Sequence, residues 1–296
     1  MLLQQLVNGI TLGGVYALIA LGYTMVYGIL EFINFAHGEI FMVGAYIGLL
    51  SVGILPEGVP SFLKLLFCFA FSCSLTGILG VLVERVAYRP LRRAPRLAPL
   101  ISAIGVSIFL QNMVMLVAGS ENKVFPQLFP SGGVRISGVD ISYIQIFIIS
   151  LSFAIMIVLH LFITKTRIGT AMRATAQGME VASLMGIDVD RIISLVFLIG
   201  SVLGAVAGIM VGMYYGIIKY TMGYIAGLKA FTAAVFGGIG NIPGAMVGGF
   251  AIGILESLGA GYISSDYKDA FAFLILIAVL ILRPSGIMGE RVSEKV

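Results

Sequence analysis

Stretches of about 20 apolar residues recur along this chain, each long enough to cross a hydrocarbon core of roughly 30 Å. A segment of that length meets its own backbone hydrogen-bonding needs in lipid as a helix. A hydropathy window of about 19 residues marks eight spans, at 3–30, 40–55, 63–86, 98–118, 143–163, 192–218, 244–262 and 270–282. A ninth apolar segment, 224–236, is too short to cross unaided and reads as a short or re-entrant helix. The expected fold is all-α: a polytopic transmembrane helix bundle forming one membrane domain over residues 1–296.

Composition agrees. Hydrophobic residues make up 59% and charged residues 11%, and mean hydropathy is +1.07, where a soluble domain carries about 25% charged residues. Trp is absent, so an interfacial aromatic belt rests on the 12 tyrosines. Residues 1–30 contain no Lys or Arg, so the basic region of a signal peptide is missing. The net charge of +4 is no nucleic-acid signature, because the basic residues gather at span ends.

Those basic residues orient the bundle. Segment 85–96 carries five, 164–191 four, and the tail after Leu282 three (Arg283, Arg291, Lys295), together twelve of the eighteen. The positive-inside rule makes these three regions cytoplasmic. The N-terminus and the loop 119–142 then lie outside, with the C-terminus inside. The loop holds Pro126, Pro130, Gly132 and Gly133 and reads as an ordered cap.

Small residues mark the packing. Gly200, Gly204, Gly208, Gly212 and Gly216 step by four and present a ridge against which another helix can approach closely. Gly9 with Gly13, and Gly44 with Gly48, are shorter versions, and Gly249 with Gly253 sit in the seventh span. Glycine-broken interruptions at 34–38 and 237–244 match across the two halves and suggest an internal repeat.

Catalytic and metal chemistry lack their residues. There is no phosphate loop; the string 237–244 (GGIGNIPG) has no lysine and the wrong spacing. Only His37 and His160 exist, with no nucleophile–base pattern, so neither an intramembrane enzyme nor a metal site is expected, and no cofactor is implied. Cys68 and Cys73 read as small apolar fillers. Polar residues beside or within spans (Asn34, His37, Glu39, Asn241 and Glu256) are the candidates for a translocation pathway, weighed against an interfacial or purely structural placement.

The polar island 164–191 separates two spans. A chain without a soluble domain meets cytoplasmic partners through such a loop. Within it Ala174, Gly178, Ala182 and Gly186 fall at fourfold spacing, with Met179, Leu184 and Met185 beside them. A short helix with that small-residue face suits docking into another protein's groove, and Gly186 is placed to stop it.

Several strings carry a family resemblance: INFAHGE at 33–39 followed by Gly44-Ala45-Tyr46, ASLMGIDVD at 182–190, KAFTAAVFGGIGNIPGAMVGGFAIG at 229–253, Tyr267-Lys268-Asp269, and Arg283-Pro284-Ser285-Gly286-Ile287. Over nearly its whole length the chain resembles H-type permease subunits of bacterial ABC importers for branched-chain amino acids. The resemblance implies an inner-membrane location and a complex with a second related permease, two ABC ATPase subunits and an extracytoplasmic amino-acid-binding protein. It also implies that 174–187 is the coupling helix, so Arg173, Ala174, Gly178, Met179, Glu180, Ala182, Ser183, Gly186 and Ile187 would meet an ATPase. Relatives commonly carry an acidic residue after the position of Gln177, where this chain has Gly178; that departure removes a charge available for a salt bridge to the ATPase. The reading is alternating-access transport of branched-chain or similar apolar amino acids. The rival is a self-contained ion-coupled secondary transporter working through Glu39 or Glu256.

Overall fold

The computed structural model describes residues 1–92, 94–95, 97–130, 132–136, 138–283 and 285–289; Arg93 and Arg96, two of the five basic residues of segment 85–96, lie outside them, as do Pro284, Arg291 and Lys295. Among the described residues, seven helices are long and apolar enough to cross a membrane. In chain order they are α1 (Leu2–Leu30), α2 (His37–Ile54), α3 (Ser61–Val83), α4 (Leu97–Ala118), α5 (Tyr143–Lys165), α8 (Val189–Tyr215) and α10 (Ile242–Tyr262). The expected short segment is α9 (Met222–Gly237), of 16 residues. The last of the eight expected spans is shorter than the others: α11 (Lys268–Leu282) has 15 residues, roughly 22 Å at 1.5 Å per residue.

Local chemistry sets the helix ends. Ser142 and Gln145 form a reciprocal capping box that starts α5. The side chains of Asp188 and Asn241 accept from the backbone N–H groups of Arg191 and Gly244 to start α8 and α10. α3 continues into a π turn, Glu84–Tyr88, and a 3-10 turn, Arg89–Leu91.

The bundle has two unlike ends. At one, β2 (Gly133–Ile136) and β3 (Val139–Ser142) form an antiparallel hairpin, and β1 (Lys123–Val124) pairs with β4 (Ile217–Ile218), just past α8. Gln4 beside the N-terminus exchanges hydrogen bonds with the Asp140 backbone, both 3.0 Å, so α1 begins at this hairpin end. The opposite end, the basic end, carries Arg85–Arg92 and the island.

α1 and α8 form the buried centre, whereas α3, α4 and α5 show most of their surface. α1 and α10 cross through their glycines. A Cβ at Gly9 would lie 2.7 Å from Ile254 Cα, and one at Gly13 would lie 2.7 Å from Phe250 Cα. From the other side, Gly249 abuts Ala17 and Gly253 abuts Gly13. Close backbone approach of this kind is what drives helix association where both partners already sit in lipid.

The glycine ladder of α8 is shared among several neighbours. Gly200 faces Gly22 of α1, with Cα 3.5 Å from its would-be Cβ; Gly204 faces Phe41 of α2, with N also at 3.5 Å. Gly208 lies on Phe41 and Ala45, and Gly212 lies under the Phe125 ring of the hairpin-end loop. Gly216 stands outside this ridge: it ends α8 in the left-handed conformation, φ 69°, where a residue without Cβ is favoured.

α2 starts inside the bundle. The His37 ring packs against Gly22, eight residues and about 12 Å before α1 ends at Leu30. Residues 31–36 therefore turn back into the protein. α9 also starts below the hairpin-end surface, since Gly38 packs on its first turns, 2.9 Å from a would-be Cβ to Gly227 Cα.

Candidate functional site

The island folds as two short helices rather than one helix over 174–187. α6 (Arg167–Gln177) begins at Thr166, whose hydroxyl accepts from the Gly169 N–H at 3.0 Å. Gly178, in an extended conformation, separates it from α7 (Met179–Leu184). The Gly178 N–H closes α6 on the Ala174 carbonyl, and the Gly178 carbonyl opens α7 by accepting from Ala182. Gly186 does stop α7, at φ 84°, with its N–H donating to the Ser183 carbonyl at 3.0 Å.

The break changes which residues face out. Ala182 is 3% exposed and packs inward; Ala174, Gly178, Met179 and Ile187 are half-buried, while Glu180, Ser183 and Gly186 are exposed. The small residues therefore do not make one outward face. The exposed surface is apolar instead: Val181 at 65%, Leu184 at 87% and Met185 at 78%. Arg173 turns back to donate from its guanidinium to the Ile163 carbonyl near the end of α5.

Beside the island lies an ion-pair network that no motif announced. The Glu84 carboxylate, fully buried, takes two hydrogen bonds of 3.2 Å from the Arg89 guanidinium and one of 2.8 Å from Ser194 of α8. Arg92 bonds both Glu84 and Asp190, the latter in the first turn of α8. The turn after α3 is thereby tied to the end of the island at Asp190 and to Ser194 of α8.

The expected pathway residues separate into three groups. Asn34 and Asn241 are structural. Asn34 Oδ1 accepts from Tyr88 OH at 2.6 Å and from the Ala36 N–H at 3.2 Å. Asn241 caps α10 and donates to the Met288 carbonyl at 2.9 Å. His37 and Glu39 begin α2 in the interior, with the Tyr23 ring edge-on to His37 at 4.9 Å and Glu39 against Gly223 of α9. Both are buried.

Glu256 belongs to the third group, a buried charge cluster. Lys229 Nζ on α9 lies 2.7 Å from Glu256 Oε1 on α10, 2.6 Å from Asp269 Oδ1 on α11 and 3.5 Å from Tyr16 OH on α1. Lys229 and Glu256 are each 3% exposed. Lys229 is one of the six basic residues outside the three basic segments, Asp269 enters only as part of a family string, and no motif marks Tyr16. The available signal was a lysine inside one apolar segment and a glutamate inside the next, joined by a tight glycine-rich turn. The cluster lines a cavity of about 460 Å³, whose other walls include Leu12, Val15, Val211 and Ile225.

The chain matches the family described as branched-chain amino acid transport system / permease component over residues 5–280. It is 52% identical to the high-affinity branched-chain amino acid transport system permease protein BraD of Pseudomonas aeruginosa, across 99% of this chain and 98% of that protein. It is 47% identical to the permease protein LivH of Escherichia coli K12, named for the same kind of system, across 99% and 97%. A probable branched-chain amino acid transport permease of Methanocaldococcus jannaschii is 27% identical across 92% and 88%. With a family match over most of its length and two relatives near half-identical end to end, the chain belongs to the permease components of branched-chain amino acid transport systems.

Proposed function

We propose that this chain is the membrane-spanning permease subunit of an ATP-driven importer that carries branched-chain or similar apolar amino acids across the bacterial inner membrane. The observation that carries the reading is the 52% identity to BraD over 99% of the chain. The permease itself supplies no ATP site; two ABC ATPase subunits bind at the basic end and a second related permease completes the passage. An extracytoplasmic binding protein delivers substrate at the hairpin end. The positive-inside rule supports this orientation, with the basic end cytoplasmic and the N-terminus outside.

The exposed side chains Val181, Leu184 and Met185 support α7 as the ATPase contact. A cluster of large apolar side chains in a charged, water-facing loop is the kind of surface a partner covers. ATPase closure would push on α6–α7 and reach α8 through the Glu84–Arg92–Asp190 network, rocking the bundle between outward and inward access.

An ion-coupled carrier needs a carboxylate free to take up and release the coupling ion. Of the two candidates, Glu256 is paired with Lys229 at 2.7 Å, and the ATP-driven reading is carried by the identity to BraD rather than by Glu39 or Glu256. Affinity purification of the tagged chain from its native membrane tests the proposal. Two ATPases and a second permease should accompany it; a chain that purifies alone and still transports would overturn it.

A further inference from the structure

The Lys229 cluster holds more negative charge than its own structure needs. Lys229 is shared between two carboxylates, the buried Glu256 and the half-exposed Asp269, so these three groups carry a formal charge of −1, with Lys219 and Lys268 at the mouth of the same cavity. A structural pair would be complete with one carboxylate. Burying an uncompensated charge is costly, and the cost falls when an opposite charge arrives. Glu256 lines the cavity, and its buried Oε2 is the oxygen that Lys229 does not bond.

The cavity walls are of two kinds. Leu12, Val15, Val211 and Ile225 are apolar. Thr221 and Met222 form the start of α9, a 16-residue helix with no side-chain cap, so its N-terminal N–H groups and dipole favour an anion. Lys219 and Lys268 stand exposed at the mouth, on the hairpin end of the bundle. The volume of about 460 Å³ falls within the range of small-molecule sites, roughly 300–1,000 Å³.

The geometry points to this cavity as a zwitterion-reading subsite within the permease: the α-ammonium of a free apolar amino acid pairs with the Glu256–Asp269 carboxylates. Its α-carboxylate faces the start of α9 and Lys219, and its side chain lies on the aliphatic wall. The inference rests on the transport reading above and deepens it. Selection would then occur in the membrane as well as on the delivering protein. An aminophospholipid headgroup offers the same ammonium–anion pair, so the test separates the two sources.

The experiment is equilibrium binding of radiolabelled leucine to the complex as purified with its co-purifying subunits, in lipid nanodiscs and without binding protein. Expected is saturable binding displaced by unlabelled leucine. Neither 4-methylpentanoate, which lacks the ammonium, nor isopentylamine, which lacks the carboxylate, should displace it. Glu256→Gln should weaken binding by about tenfold or more. Should that variant fail to accumulate, Asp269→Asn at the half-exposed rim should do the same. Independently, Ile225→Cys in a Cys68→Ala, Cys73→Ala background should be labelled by a maleimide, and leucine should slow the labelling. Absence of saturable binding, wild-type affinity in both carboxylate variants, or protection by glycerophosphoethanolamine but not leucine would overturn the inference. ATP-dependent leucine uptake by the same preparation keeps the two readings apart: uptake without binding removes the subsite alone, and absence of both removes the transport reading with it.

Discussion

Ser194 on α8 donates its hydroxyl to the buried Glu84 carboxylate at 2.8 Å, where α3 passes into its π turn. Arg89 and Arg92 bind the same carboxylate, and Arg92 also holds Asp190. Two guanidinium groups are thus anchored by one acid with no contact to water.

Removing that acid should be costly. Glu84→Ala leaves two part-buried cations with only the exposed Asp190 between them, and breaking a buried pair costs about 3 kcal/mol or more. The monomer fraction after graded heating in detergent, read by size-exclusion chromatography, should fall at lower temperature than for wild type. Ser194→Ala should shift it by about 1 kcal/mol. Wild-type heat resistance of Glu84→Ala would count against a structural anchor here.

The α1–α10 crossing makes a second prediction. A methyl group at Gly253 would meet the Gly13 backbone, which cannot swing aside. Gly253→Ala should destabilise the bundle by about 1–3 kcal/mol, the usual cost of overpacking. Gly105 on α4 has nothing within 4 Å of its would-be Cβ, so Gly105→Ala should be neutral or slightly stabilising. Equal thermal profiles for the two variants would contradict the crossing.

α7 separates docking from folding. Leu184 is 87% exposed, so Leu184→Glu should leave the yield of folded permease unchanged while co-purifying ATPase falls. Ala182 is 3% exposed, and Ala182→Arg should instead lower the yield, because a guanidinium would be forced into packed surroundings. Pull-down and monomer yield measured together read both effects; the reverse pattern would mean that the contact face is the small-residue one.

The stop after α7 should be sensitive as well. Gly186 has φ 84°, a conformation that costs a β-branched residue roughly 1–2 kcal/mol. Gly186→Val should therefore loosen α7, seen as faster protease cleavage near Met185, whereas Gly178→Ala should have a smaller effect because Gly178 is extended.

Much of the architecture was legible from hydropathy, because a helix in lipid needs little beyond length and apolar character. The short ninth segment and the stop at Gly186 were legible for the same reason: each depends on a few neighbouring residues. Depth was not. His37 and Glu39 follow the first span and look interfacial on a linear reading, but residues 31–36 fold back and carry them inside. Gly216 shares the fourfold spacing of its neighbours yet ends the helix, since spacing cannot say where a helix stops. Ala182 points inward because Gly178 breaks the helix and resets its rotation. Lys229 and Glu256 are 27 residues apart and meet only once α9 and α10 fold against each other, so no local window joins them.

Leucine uptake into proteoliposomes holding the co-purified complex, with ion gradients collapsed, tests most directly whether this bundle is driven by separate motor subunits through α6–α7. Uptake should require ATP and the binding protein, and Leu184→Glu should reduce it by about tenfold or more. Uptake that runs on an imposed ion gradient without ATP, and that is unaffected by Leu184→Glu, would contradict the account.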